Sequence, residues 1–117
     1  MTRDEINQAN RNTLNRLAAT ELMGWRSFRW AEMDIYEDES NRRRGAFYPS
    51  TDANDAATCL RKIEERGLQM EFAHALWGTI NKEPMHGGFY AEIWRIAKAT
   101  PEQTTRACLL AVCGGRN

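Results

Sequence analysis

Neither sign of charge is in excess in this sequence of 117 residues: sixteen Lys and Arg stand against sixteen Asp and Glu. A general nucleic-acid or membrane-surface binder is ordinarily basic, so neither activity is expected. Cysteine is sparse as well. The three cysteines, at 59, 108 and 113, cannot all pair with one another and show no Cys-x-x-Cys spacing, which argues against a disulfide framework or a zinc knuckle. Long apolar runs are missing, the longest being the seven residues Ala107 to Cys113, far short of the roughly 20 that cross a bilayer. The opening Met1-Thr-Arg-Asp-Glu lacks the apolar stretch of a signal peptide, so a reducing cytoplasm is the expected location and no membrane contact is expected. Lysine is scarce, three against thirteen arginines, a bias that points to genome composition rather than to a task. There is no repeat, low-complexity tract or internal linker. A single domain over 1–117 follows, with one core.

What is present is a set of local start and stop signals. Thr2-Arg3-Asp4-Glu5 has capping-box spacing, Leu14, Leu17, Ala18 and Leu22 form an apolar stripe, and Gly24 can end a helix in the left-handed region. This predicts a first helix over about 4–23. From Trp25 the apolar residues alternate, predicting one or two short strands through Ile35, and the charged run Glu37 to Arg44 reads as an exposed loop before a short strand at 46–48. Ala53, Ala56, Ala57, Leu60 and Ile63 predict a second helix over about 51–66, closed by Gly67, with Ser50 or Thr51 as its cap and Asp52 in its first turn. Alternation over 68–76 and again over 89–97 predicts an antiparallel hairpin with a long connection at 81–88. Thr100-Pro101-Glu102-Gln103 opens a third helix to about 113, apolar on every side in its second half and therefore enclosed. The fold class expected is α+β, a three-layer α/β/α sandwich with a small, mainly antiparallel sheet and three helices.

Three stretches at three corners of this scheme carry a resemblance: Met23-Gly24-Trp25, Tyr48-Pro49-Ser50-Thr51-Asp52, and Arg106-Ala-Cys-Leu-Leu-Ala-Val112. Together they resemble the phage ABA-sandwich domain, a family of small phage and prophage proteins. The resemblance implies a sheet between helical layers. It implies no known activity, so no catalytic residue and no cofactor are carried over.

Asp52 and Asp55 pose the first chemical question, since two carboxylates on one helical side can converge on a cation or act as acid and base. They can equally serve a helix start, where free amides and the helix dipole favour negative charge, and this reading is preferred. No metal site is expected. His74 belongs by alternation to an apolar face and is expected in the core; a pairing with Cys59 or Cys108 as nucleophile would need those thiols outside their apolar stripes. Arg42, Arg43 and Arg44 can contact phosphate, and Trp30 among the tryptophans can stack on a ring, though Asp34, Glu37, Asp38 and Glu39 offset the arginine field. His86 lies in a glycine-rich connection. Arg42, Arg43, Arg44, Trp30 and His86 are the expected contact residues, because loops on a rigid scaffold usually carry recognition.

The function expected is that of a non-enzymatic phage or prophage accessory protein in the cytoplasm of a bacterial host. It would act by binding a host protein or a small anionic ligand, sequestration of a nucleotide signal being one form. Two other classes remain open: a small hydrolase using Asp52 and Asp55 with a histidine, and a structural or assembly subunit that self-associates as a homo-oligomer through a strand edge or an apolar helix face.

Overall fold

The computed structural model describes residues 1–31, 33–81 and 88–114. The chain is a mixed α+β fold with α1 at Arg3–Gln8 and α2 at Arg11–Leu17, which runs into a π-helical turn at Ala18–Leu22. Then come β1 at Arg26–Trp30, β2 at Met33–Glu37 and β3 at Arg43–Gly45. Four helices complete it: α3 at Ala53–Glu65, α4 at Gln69–Ile80, α5 at Gly88–Ala97 and α6 at Pro101–Gly114. Six α-helices among the described residues replace the three expected.

The first and last of the expected caps form where the sequence places them. Thr2 accepts from the Glu5 amide, and Thr100 and Gln103 exchange side-chain-to-backbone hydrogen bonds at 3.2 and 2.9 Å, a complete capping box. Gly24 and Gly67 take φ of +75° and +68°, the left-handed conformation that ends a helix and that a side chain would strain. The single helix expected over 4–23 is instead broken at Ala9, whose ψ of 136° is extended. The reason is Asn10, whose side chain accepts from the Thr13 amide at 2.9 Å and so caps a second helix of its own.

The larger correction concerns 68–76 and 89–97, which are helices rather than the strands of a hairpin. Over nine residues an alternating pattern also satisfies a helical one: Leu68, Phe72, Ala75 and Leu76 lie at i, i+4, i+7 and i+8 and pack on the core from α4. Most of the expected 81–88 connection lies outside the described residues. The sheet is built only from 26–45, and its last strand falls at 43–45 rather than at 46–48. Its order is β1-β2-β3, antiparallel throughout, with Phe28 opposite Ile35 and Trp30 opposite Met33. Alternation turns Tyr36 inward, where it is buried and meets Trp25 and Phe47, whose ring centroids lie 4.9 Å apart. Phe28 stands exposed on the other side, and Met33 is exposed at the start of β2, where it also borders the inner side. The second covering layer of the expected sandwich is therefore not seen over them among the described residues.

α6 runs through the centre. Ala107, Cys108, Leu109, Ala111 and Val112 are all at most 1% exposed, and α1, α2, α3, α4 and the π-helical turn pack around them. Each fully buried Leu or Ile here, such as Ile6, Leu14, Ile63 and Leu109, contributes about 1.5–3 kcal/mol by leaving water. The Tyr48-to-Asp52 stretch is fastened to α2 by the Ser50 amide, which donates to the buried Asn15 carboxamide at 2.9 Å.

Candidate functional site

The arginine loop is organised around a carboxylate. Asp38, only 7% exposed, accepts from the amides of Ser40 and Arg42 at 2.9 Å each and pairs with the Arg44 guanidinium at 3.2 Å. The Arg42 amide bond, the Ser40 bond and the nearby Arg44 and Arg42 charges hold its carboxyl below the usual carboxylate range, against the opposing effect of burial. Arg44 also lies over the Trp25 ring at 5.3 Å, so its charge is used twice within the fold. Arg26 is held by Glu37 at 2.6 Å and by Asn41 at 2.7 Å. Arg43 is exposed on β3 and borders a concavity of about 460 Å³ on the outer side of the sheet with Phe28, Arg29 and Ile35, and Arg42 is exposed in the turn. Trp30 ends β1 opposite Met33, its side chain lying outside the described set, and His86 lies outside the described residues altogether.

The two aspartates are engaged with backbone. Asp52 is itself the cap of α3, accepting from the Asn54 and Asp55 amides at 2.8 and 3.1 Å, rather than a first-turn residue behind a Ser50 or Thr51 cap. Asp55 accepts from the Tyr48 amide at 2.9 Å and ties the preceding loop back onto the helix. His74, expected in the core, is exposed on α4 because that segment is helical and its alternation with the core side is lost. Cys59 and Cys108 are buried; burial above all pushes the Cys59 thiol up to about 12 and the Cys108 thiol well above its ordinary value, the opposite of nucleophile activation. Among the described residues no three His, Cys, Asp or Glu side chains are grouped so as to hold a metal ion.

A further concavity lies between α2 and the inner side of β1 and β2, with a volume of about 360 Å³. Asn12 and Arg16 border it from α2, Arg29 and Asp34 from the sheet, and Tyr36 and Tyr48 from its floor and rim. The Arg16 guanidinium has no hydrogen-bond or ion-pair partner among the described residues, and Arg29 reaches Asp34 only at 4.0 Å with its side chain 79% exposed. Two guanidinium groups against one carboxylate leave the cleft one positive charge in excess. Burial raises the Tyr36 phenol above its ordinary value, Asp34 raises it further and Arg16 opposes, so the hydroxyl remains protonated and able to donate. The cleft thus gathers donors: two forked guanidinium groups, phenol hydroxyls and a carboxamide, in a volume within the range of small-ligand sites. No histidine or cysteine lines it.

Sequence reasoning missed this cleft. Arg16 sits on the polar side of a helix and Arg29 between two strand aromatics, thirteen residues away, and no spacing motif links them. The two elements meet through the fold: α2 runs into the π-helical turn, which packs on β1. Among the described residues no helix is long and apolar enough to cross a membrane. Compared with family models, curated proteins and solved structures, the chain matches none.

Proposed function

We propose that this protein is a non-enzymatic binding protein that holds a small anionic ligand, carrying phosphate or carboxylate, in the cleft between α2 and the sheet. The observation that carries this reading is the Arg16 guanidinium, which borders the cleft without a partner of its own, across from a loosely held Arg29. A forked guanidinium recognises carboxylate and phosphate oxygens bidentately, and a second one with phenol and carboxamide donors would orient the anion. The arginines expected to do this, Arg42 to Arg44, support the reading less well, since Arg44 is already paired with Asp38. The resemblance to phage ABA-sandwich proteins supplies the setting of a phage or prophage accessory protein in a bacterial host. The hydrolase reading has less support, because Asp52 and Asp55 are both occupied by backbone amides.

The test is a thermal-shift and calorimetric titration with inorganic phosphate, adenosine monophosphate and acetate. A ligand present at about 100 times its Kd stabilises the native form by about 2.7 kcal/mol, which raises Tm by several degrees in a chain of this size. Arg16→Ala is expected to abolish the shift and Arg44→Ala to retain it. A chain whose Tm none of the three anions moves does not work in this way.

A further inference from the structure

α5 carries its apolar residues on the wrong side for a folded chain. Tyr90, Ile93, Trp94 and Ala97 recur at i, i+3, i+4 and i+7, the spacing with which one helix packs on another. Such a stripe normally faces the core. Here all four are exposed, Tyr90 at 84% and Trp94 at 63%, with Phe89 at 63% beside them, while the charged Glu92 and Arg95 on the reverse side are half-buried. No residue of α5 is fully buried, and its main packing partner is α4. Phe89 leans on Trp77 of α4 at 6.1 Å between ring centroids and on Tyr90 at the same distance, so the aromatic surface is continuous from α4 onto α5. Met70, 81% exposed, adds a further apolar side chain on α4.

We propose that this face of α5 is a self-association surface that pairs with α5 of a second copy of the chain. Its size argues for it. An aromatic side chain offers about 150–250 Å² when fully exposed, so Phe89, Tyr90 and Trp94 together present roughly 400 Å². With Ile93 the exposed apolar area is roughly 500 Å², toward the upper end of the roughly 300–600 Å² of a monomer's largest patch, a size that is often functional. Two such patches face to face bury on the order of 1,000 Å², the lower limit of a specific interface and the size of one that dissociates on dilution. The character of the stripe argues for it too. None of its residues is charged, and the chain as a whole has no net charge, so two copies meet without repulsion. In an antiparallel pair centred between Ile93 and Trp94, Ala97 of each copy falls across from Tyr90 of the other, a small residue opposite a large one. The same arrangement sets the two helix dipoles head to tail. Lys98, whose ammonium lies 5.9 Å from the Trp94 ring, marks the edge of the stripe and would remain in water. The surface is separate from the α2 cleft and does not depend on a ligand there.

Sedimentation equilibrium and light scattering over a dilution series of the full chain test the proposal. The mass expected at high concentration is twice the chain's 13.5 kDa, falling toward the monomer on dilution. Trp94→Glu is expected to weaken association by ~30-fold or more, as for a central aromatic hot spot, while leaving the far-ultraviolet spectrum and Tm of the diluted protein unchanged because the side chain is exposed. Should that variant fold poorly, Tyr90→Ser reads the same contact. Tyr90→Cys with Ala97→Cys in one chain is expected to form intermolecular disulfides on mild oxidation, captured as a covalent dimer. A monomer at every concentration, a dimer indifferent to Trp94→Glu and Tyr90→Ser, or a monomer that instead co-sediments with phosphatidylcholine vesicles would each overturn it.

Discussion

Arg106 of α6 donates from Nη2 to the carbonyl of Ala9 at 3.2 Å, across ninety-seven positions of sequence. Its Nη1 donates to the carbonyls of Ile6 and, at 3.1 Å, Asn7. The guanidinium therefore closes the end of α1, where the Ile6 carbonyl also accepts from the Ala9 amide at 3.3 Å and the break at Ala9 ends the helical ladder. Arg66 does the same for the π-helical turn, donating to the carbonyls of Glu21 and Leu22 at 3.3 Å each. Two of the thirteen arginines thus act as caps between elements distant in sequence, which a lysine could do only singly.

Arg106→Ala is expected to lower stability by about 2–3 kcal/mol, the range for hydrogen bonds involving a charged group. Arg106→Lys should recover only part of it, because one ammonium cannot span three carbonyls. Urea denaturation of the two variants beside the parent chain checks this; equal loss in both would mean that the fork geometry is irrelevant.

At the start of α3 the role of Asp52 is structural, so Asp52→Ala should cost about 1 kcal/mol, the usual worth of a cap, and Asp52→Asn or Asp52→Ser should restore most of it. Anion binding in the cleft should be unchanged in all three. A calorimetric titration that loses binding in Asp52→Asn while thermal stability is kept would assign the carboxylate to the ligand instead.

Asp38 ties stability to acid. Its folded carboxyl titrates below the ordinary 3.8, so the unfolded chain takes up this proton first as pH falls. The stabilisation is complete above about pH 4 and is lost below it, as pH falls toward the folded value. Asp38→Asn keeps an acceptor for the loop amides but removes the charge facing Arg44, so a lower Tm at neutral pH and a shallower decline below pH 4 are expected. Thermal scans across the acid range decide it; parallel pH profiles for the two proteins would show that Asp38 carries none of the dependence.

The cysteines should separate cleanly in a labelling experiment. Cys113 is half-buried, whereas Cys59 and Cys108 are fully enclosed with thiols raised above their ordinary values. Iodoacetamide at mildly alkaline pH is expected to modify Cys113 alone in the native protein and all three in denaturant, as mass spectrometry would show. The sign for stability follows: a thiol ionising near 9 when unfolded and near 12 at Cys59 when folded leaves stability intact below about pH 9 and drains it as pH rises above that value. Prompt native alkylation of Cys59 would contradict the packing of α3 on α6.

The parts of this protein legible from its sequence alone are those settled within three or four residues. Thr2 and the Thr100–Gln103 box cap helices because a side-chain oxygen reaches an amide one turn away, and Gly24 and Gly67 stop helices because only the local backbone decides whether φ can be positive; the cap of α3 falls one or two residues later than expected, at Asp52. The presence of short strands between Trp25 and Ile35 and the burial of α6 belong to the same class, one set by alternation and the other by an all-round apolar composition, whereas the turn at Ala31 that pairs β1 with β2 is not foreseen by that alternation. What only the tertiary structure decided is which surface each remaining segment meets. Residues 68–76 and 89–97 satisfy two periods at once, and it is the groove offered by α6, not their own pattern, that selects helix for α4. Arg16 and Arg29 border one cleft although thirteen residues separate them, and the aromatic side of α5 is exposed while that helix packs chiefly on α4. A cap is a contact between neighbours in sequence, whereas a cleft or an open face is defined by how distant segments return, and no short window of residues contains that information.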